Sequence, residues 1–319
     1  MDEKVVCHRL RREFDKVGLT VILYYLMMSF LVFAAMLIQQ VVLALQNADM
    51  ESEAVQQALA SNGWGYIITI AIGFGILLIW KKPAFCFRTI WQKNRTMGFG
   101  TFMALLCIFV SGQFLFRIIA ILMEMVAKLM GFSIMDSLNS ATNVGGSFSM
   151  FFYACILAPI FEEVLFRGLL LRWMEPFGKK FSVLATAFLF GLFHANLVQS
   201  PFAFAVGLVL GYVTVEYGML WAVILHGINN LVLGDLLFRL TSSLAPWVGE
   251  VIFFGIVGVC TLVGTIVMLL KRRKIWAYFR IGRIHPWSVK SFFTSPGILI
   301  FTVLMVGTIA ATVLMMALA

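Results

Sequence analysis

Long apolar runs alternate with short polar connections along this chain. Nine runs stand out, near residues 18–45, 64–80, 99–130, 148–172, 182–197, 202–216, 219–240, 250–270 and 296–317. A helix needs about 20 residues to cross a hydrocarbon layer. The fifth and sixth runs are short. The third is long and is interrupted by Arg117, and Gly or Pro marks several joints, as at Gly98, Pro201, Gly218 and Pro296. The pattern predicts an all-α protein, a polytopic transmembrane helical bundle of about nine spans, forming a single membrane domain over residues 1–319.

Composition strengthens this picture. Hydrophobic residues make up 61% of the chain and charged ones 12%, with a mean hydropathy of +0.97. Soluble domains carry about 25% charged residues, so the solvent for most of this chain is lipid. The N-terminal MDEKVVCHRLRREFDK is charged for too long to be the n-region of a cleaved signal, and the apolar run after it is too long for a signal core. That run is expected to stay as a spanning helix. The five cysteines are scattered with no CxxC pair, which indicates neither a disulfide framework nor a thiolate metal site.

Charge placement gives the topology. All but four of the 24 Lys and Arg residues fall within 1–17, 81–98, 172–181 and 271–295; the exceptions are Arg117, Lys128, Arg167 and Arg239. The intervening connections near 46–63, 131–147, 198–201 and 241–249 hold none. Basic residues accumulate in cytoplasmic loops, so the alternation predicts a multi-pass cell-membrane protein with its N-terminus inside and its C-terminus outside. The net charge of +9 is then assigned to contact with membrane lipid and not with nucleic acid. The 271–295 connection mixes basic and aromatic residues and is expected to lie along the inner headgroup surface. With no organelle presequence in view, a bacterial cytoplasmic membrane is expected.

Ionisable groups inside a bilayer are costly and point to function. Three runs carry them: Glu162, Glu163 and Arg167 in the fourth, His194 in the fifth, and His226, Asn229, Asn230 and Asp235 in the seventh. Glu163 and Arg167 are four apart, so a helix brings them together as a pair. Glu162, turned about 100° away, has no partner on its own helix. His226 and Asn230 also share a face. Counted at 1.5 Å per residue from the inner ends, Glu162, His194, His226 and Asn230 lie roughly 10–18 Å deep, in one slab. A carboxylate beside an imidazole can deprotonate water for attack on a carbonyl, and two fixed donors, His226 and Asn230, can stabilise the oxyanion. Alternatively Glu162, His194 and His226 are three ligands of a zinc ion with an open water position. Asp235, near an outer helix end, is expected to be hydrated, and Arg117 to be structural or to line a polar crevice. The depths further predict a water-filled cavity open to the cytoplasmic half, with Phe166 and Ala222 near its mouth. Gly207 and Gly211, spaced as GxxxG, would pack the sixth run closely on a neighbour.

At these residues the chain resembles the CPBP family of intramembrane proteases, also known as the CAAX-protease and bacteriocin-processing, or Abi, family. Its EExxxR motif stands as Glu162, Glu163 and Arg167, its FxxxH motif as Phe190 and His194, and its HxxxN motif as His226 and Asn230. The resemblance covers about residues 145–240, the catalytic core of the family. It implies an endopeptidase that hydrolyses a peptide bond of a membrane-associated protein or peptide. It also implies that Glu162 and His194 activate water, that His226 and Asn230 form the oxyanion hole, and that Glu163 with Arg167 supports the helix. Members have been described both as metalloproteases and as metal-free glutamate proteases, so a zinc cofactor stays open. Other intramembrane protease classes fit poorly: the chain lacks HExxH, Gly145–Gly146–Ser147 runs into Phe148 where a rhomboid GxSG needs Gly, and Gly234–Asp235 lacks the preceding Gly of GxGD. The alternative of another class is an ion- or proton-coupled membrane transporter using the same Glu and His groups.

Overall fold

In lipid every backbone polar group must be satisfied internally, so an apolar chain of this kind folds as helices. The computed structural model describes residues 3–81, 83–135, 147–280 and 284–318, and among these there is no β-strand. Lys82, Gly145, Gly146 and Arg283, with most of the expected 131–147 connection, lie outside the described residues. The helices are α1 (Glu3–Leu45), α2 (Glu53–Ala60), α3 (Trp64–Lys81), α4 (Phe99–Leu129), α5 (148–174), α6 (Lys179–Phe193), α7 (Gln199–Tyr217), α8 (Met219–Thr241), α9 (Pro246–Leu270), α10 (Arg272–Arg280), α11 (Pro286–Phe293) and α12 (Pro296–Leu318). Among the described residues, seven segments are long and apolar enough to cross a membrane: α1, a stretch including α2 and α3, α4, α7, α8, α9 and α12. The other two expected spans are also helices. However, α6 has only 15 residues, and α5 carries Glu162, Glu163 and Arg167. The EExxxR motif lies on α5, and Phe190 lies on α6 with His194 directly after it.

The site helices pack at the centre, with α5 touching α3, α6, α7 and α8. On one side α1 crosses α3, α11 and α12; on the other α4 pairs with α9 and leans on α7. The closest crossings are at glycines, as the GxxxG spacing predicts for α7. A Cβ on Gly207 would lie 3.3 Å from Ala187 of α6, and one on Gly211 would lie 3.0 Å from Val183. At the crossing of α1 and α12 a Cβ on Gly18 would meet the Gly297 carbonyl carbon at 2.3 Å. There Asp15 Oδ1 accepts from the Gly297 N–H at 3.0 Å, satisfying an otherwise orphaned donor at the start of α12.

The basic segments meet at one end of the bundle. Trp173 donates to Glu13, Lys81 lies over the Trp173 ring, Lys180 donates to the Tyr278 carbonyl, and Arg95 pairs with Glu216. At the opposite end Gly63 N–H donates to Ser149 and Ser147 donates to the Ser61 carbonyl. Outward faces remain apolar: Leu23, Phe30, Val259, Leu262 and Val303 are exposed. This is the surface of a multi-pass membrane protein.

Candidate active site

Two local irregularities shape the site. Helix α5 is α-helical over Ala158–Glu163 but π-helical over Tyr153–Leu157 and Val164–Leu171, and α8 turns π-helical over Asn229–Leu236. Such widened turns free backbone groups and recur at functional sites. Here Asn230 Nδ2 on α8 donates to the Ala154 carbonyl on α5 at 3.0 Å, so one π segment is tied to another. Asn230 Oδ1 accepts from Asn229, and Asn229 Oδ1 in turn accepts from Gln113 of α4.

Glu163 and Arg167 are both fully buried, with Arg167 Nη1 2.8 Å from Glu163 Oε1. Arg167 Nη2 also donates to the Gly207 carbonyl at 3.3 Å, and the guanidinium lies 4.2 Å over the Phe190 ring. The same Glu163 Oε1 sits 2.9 Å from His226 Nδ1. A carboxylate there is an acceptor, so Nδ1 carries the proton and Nε2 is left facing Glu162, whose Oε2 lies 3.8 Å away. His194 follows the same logic: Nδ1 is 2.8 Å from the Phe190 carbonyl, which can only accept, so its Nε2 is free. His194 stands at the C-terminal end of α6, where Ala195 ends the helix with φ +45°.

Glu162 differs from its neighbour. Its side chain is 24% exposed and borders a narrow crevice lined by Tyr24 of α1, Tyr66 and Thr69 of α3, Tyr153 of α5 and Phe193 of α6. The structure thus brings Glu162, Glu163 and His226 together around Arg167, with Phe190 packed on both His194 and His226. The three tyrosines are functional candidates that sequence reasoning missed. Two lie on helices far from the motifs, and nothing local marks them.

Other expectations changed. Phe166 and Ala222 are fully buried in the main core and cannot flank a mouth; the open space beside Glu162 lies on the α1–α3 side instead. Asp235 is buried, not hydrated, and accepts from Arg239 at 2.6 Å, because the α8 end is covered by α5 and α9. Arg117 lies over Phe253 and Phe254 of α9, while Glu124 is taken by Lys128, Ser133 and the Ile134 N–H. A catalytic zinc needs three converging protein ligands. Among the described residues no three His, Cys, Asp or Glu side chains converge in this way.

A buried carboxylate–imidazole cluster at the centre of a polytopic helical bundle defines the class: a membrane protein with ionisable groups held between its spans. Residues 144–232 match the family model of the type II CAAX prenyl endopeptidase Rce1-like domain. The match indicates a protease, agrees with the CPBP resemblance of the motifs, and lends nothing to the transporter alternative. No curated protein and no solved structure matches the chain.

Proposed function

We propose that the chain is an intramembrane endopeptidase in which Glu162, with His194, activates water against a peptide carbonyl of a membrane-anchored protein or peptide. The contrast between adjacent carboxylates carries this reading. Glu163 is buried and held from two sides, whereas Glu162 faces an open crevice with no hydrogen bond among the described residues. Glu162 takes a proton from water as the water oxygen bonds to the carbonyl carbon. The proton then passes to the departing nitrogen as the C–N bond breaks, giving a carboxylate and an amine. His194 Nε2, freed by the bond of Nδ1 to Phe190, orients the water. His226 is assigned to the oxyanion side of the carbonyl, its ring oriented through Nδ1 by Glu163. Asn230 has a second amide N–H beyond the one given to Ala154, and we assign it as an oxyanion donor. The end of the bundle that gathers basic residues faces the cytoplasm in this reading, in a bacterial cytoplasmic membrane.

The test is product analysis by mass spectrometry on membranes carrying the wild-type chain or Glu162→Gln. Cleavage should vanish in Glu162→Gln while the amount of folded protein holds. Wild-type cleavage by the variant would end the proposal.

A further inference from the structure

The space beside Glu162 continues along the seam between α1 and α3. A second crevice is lined by Val32, Met36 and Gln39 of α1, Asn62 of the α2–α3 connection and Tyr66 of α3. The first crevice uses Tyr24 and Met28 of α1 and Tyr66, Thr69 and Ile70 of α3. The two sets advance together in opposite chain directions, as two antiparallel helices require. From Met28 to Gln39 the seam climbs roughly 16 Å at 1.5 Å per residue, away from the basic end and towards α2.

Tyr66 stands in the wall of both crevices. Its ring stacks on Tyr153 with centroids 4.6 Å apart, and Tyr153 lines the Glu162 crevice. The ring is therefore fixed by an aromatic partner on α5, the helix that carries Glu162. Its hydroxyl makes no hydrogen bond among the described residues, so the ring is the feature that matters. The far crevice has a different character: Asn62 Nδ2 donates to Gln39 Oε1 at 2.7 Å, and Gln39 Nε2 reaches the Ala58 carbonyl. Carboxamides beside an apolar wall of Val32 and Met36 suit the backbone amides and apolar side chains of an extended peptide. A lipid chain would find no use for them.

We propose that Tyr66 is a specificity-determining partition: the seam receives an extended apolar peptide, and the Tyr66 ring limits how far the chain can run from the scissile bond at Glu162 into the Gln39–Asn62 crevice. This rests on the reading of Glu162 as the base.

The first test needs no catalysis. Thr69 is buried and lines the Glu162 crevice, so Thr69→Cys reports access to it. In the purified full chain, a charged methanethiosulfonate should label this cysteine about tenfold faster with Tyr66→Ala, since thiol reactivity follows exposure. Tyr66→Phe should leave the rate alone. Adding Met36→Trp, which fills the far crevice, should reverse the gain. An unchanged rate in Tyr66→Ala, or no reversal by Met36→Trp, overturns the partition. The second test offers a pool of apolar dodecapeptides and reads the products. Tyr66→Ala should lengthen the fragments on one side of the cut, and identical fragments overturn the proposal. Glu162→Gln is run beside it. If that variant still cleaves, the underlying function fails and takes the specificity role with it, while the labelling result stands on its own.

Discussion

Removing Arg167 should cost this protein more than neutralising Glu162, the carboxylate that faces the crevice. In Arg167→Ala the Glu163 carboxylate, fully buried, keeps only His226 as a partner. The bond to the Gly207 carbonyl and the contact with the Phe190 ring go too. Breaking a buried ion pair from one side costs about 3–5 kcal/mol. Glu163 Oε2 and Arg167 Nε are already without partners among the described residues, so the intact pair is itself imperfectly compensated. That predicts an asymmetry. Arg167→Met combined with Glu163→Gln, which removes both charges, should recover most of the loss, because no unpaired charge remains in the core. Glu162→Gln, at a side chain open to the crevice, should change stability by less than about 0.5 kcal/mol. The assay is thermal unfolding of the detergent-purified chain, read by the loss of the monodisperse peak. Equal losses in Arg167→Ala and Glu162→Gln would refute the division between a structural and a reactive carboxylate. A double variant no better than Arg167→Ala would refute the charge argument.

Further outcomes follow from packing and polarity. Gly18→Ala should lower folded yield sharply, since its Cβ would meet backbone of α12 at 2.3 Å, while Gly307→Ala, with open space around it, should not; yields compared side by side check this. Asn230→Ala should cost about 1 kcal/mol of thermal stability through the bond to Ala154, and the oxyanion role proposed for it predicts a loss of cleavage of at least about tenfold. Asp235→Asn should weaken the pair with Arg239 and lower the unfolding temperature, and equal temperatures would show that the pair adds no stability. A cysteine placed at Lys179 should resist an impermeant reagent applied outside intact cells, and labelling there would invert the topology.

Much of this architecture follows from composition and spacing alone. Apolar runs long enough for lipid can only be helices, since no water is present to satisfy open backbone. The Glu163–Arg167 pair is four residues apart on one helix, so its formation needed no knowledge of neighbours. The close seat of Gly207 and Gly211 on α6 is likewise local in origin, because two missing side chains on one face admit a partner wherever it lies. What the sequence could not carry is rotation. A membrane helix is apolar towards lipid and towards its neighbours alike, so no stripe marks the inward face. Only the packed bundle turned Glu162 towards α1 and α3, set Glu163 against His226, buried Phe166, Ala222 and Asp235, and drew Tyr24 and Tyr66 from distant helices to the crevice. Contacts between helices depend on crossing angle and register, which residue spacing within any one of them leaves free.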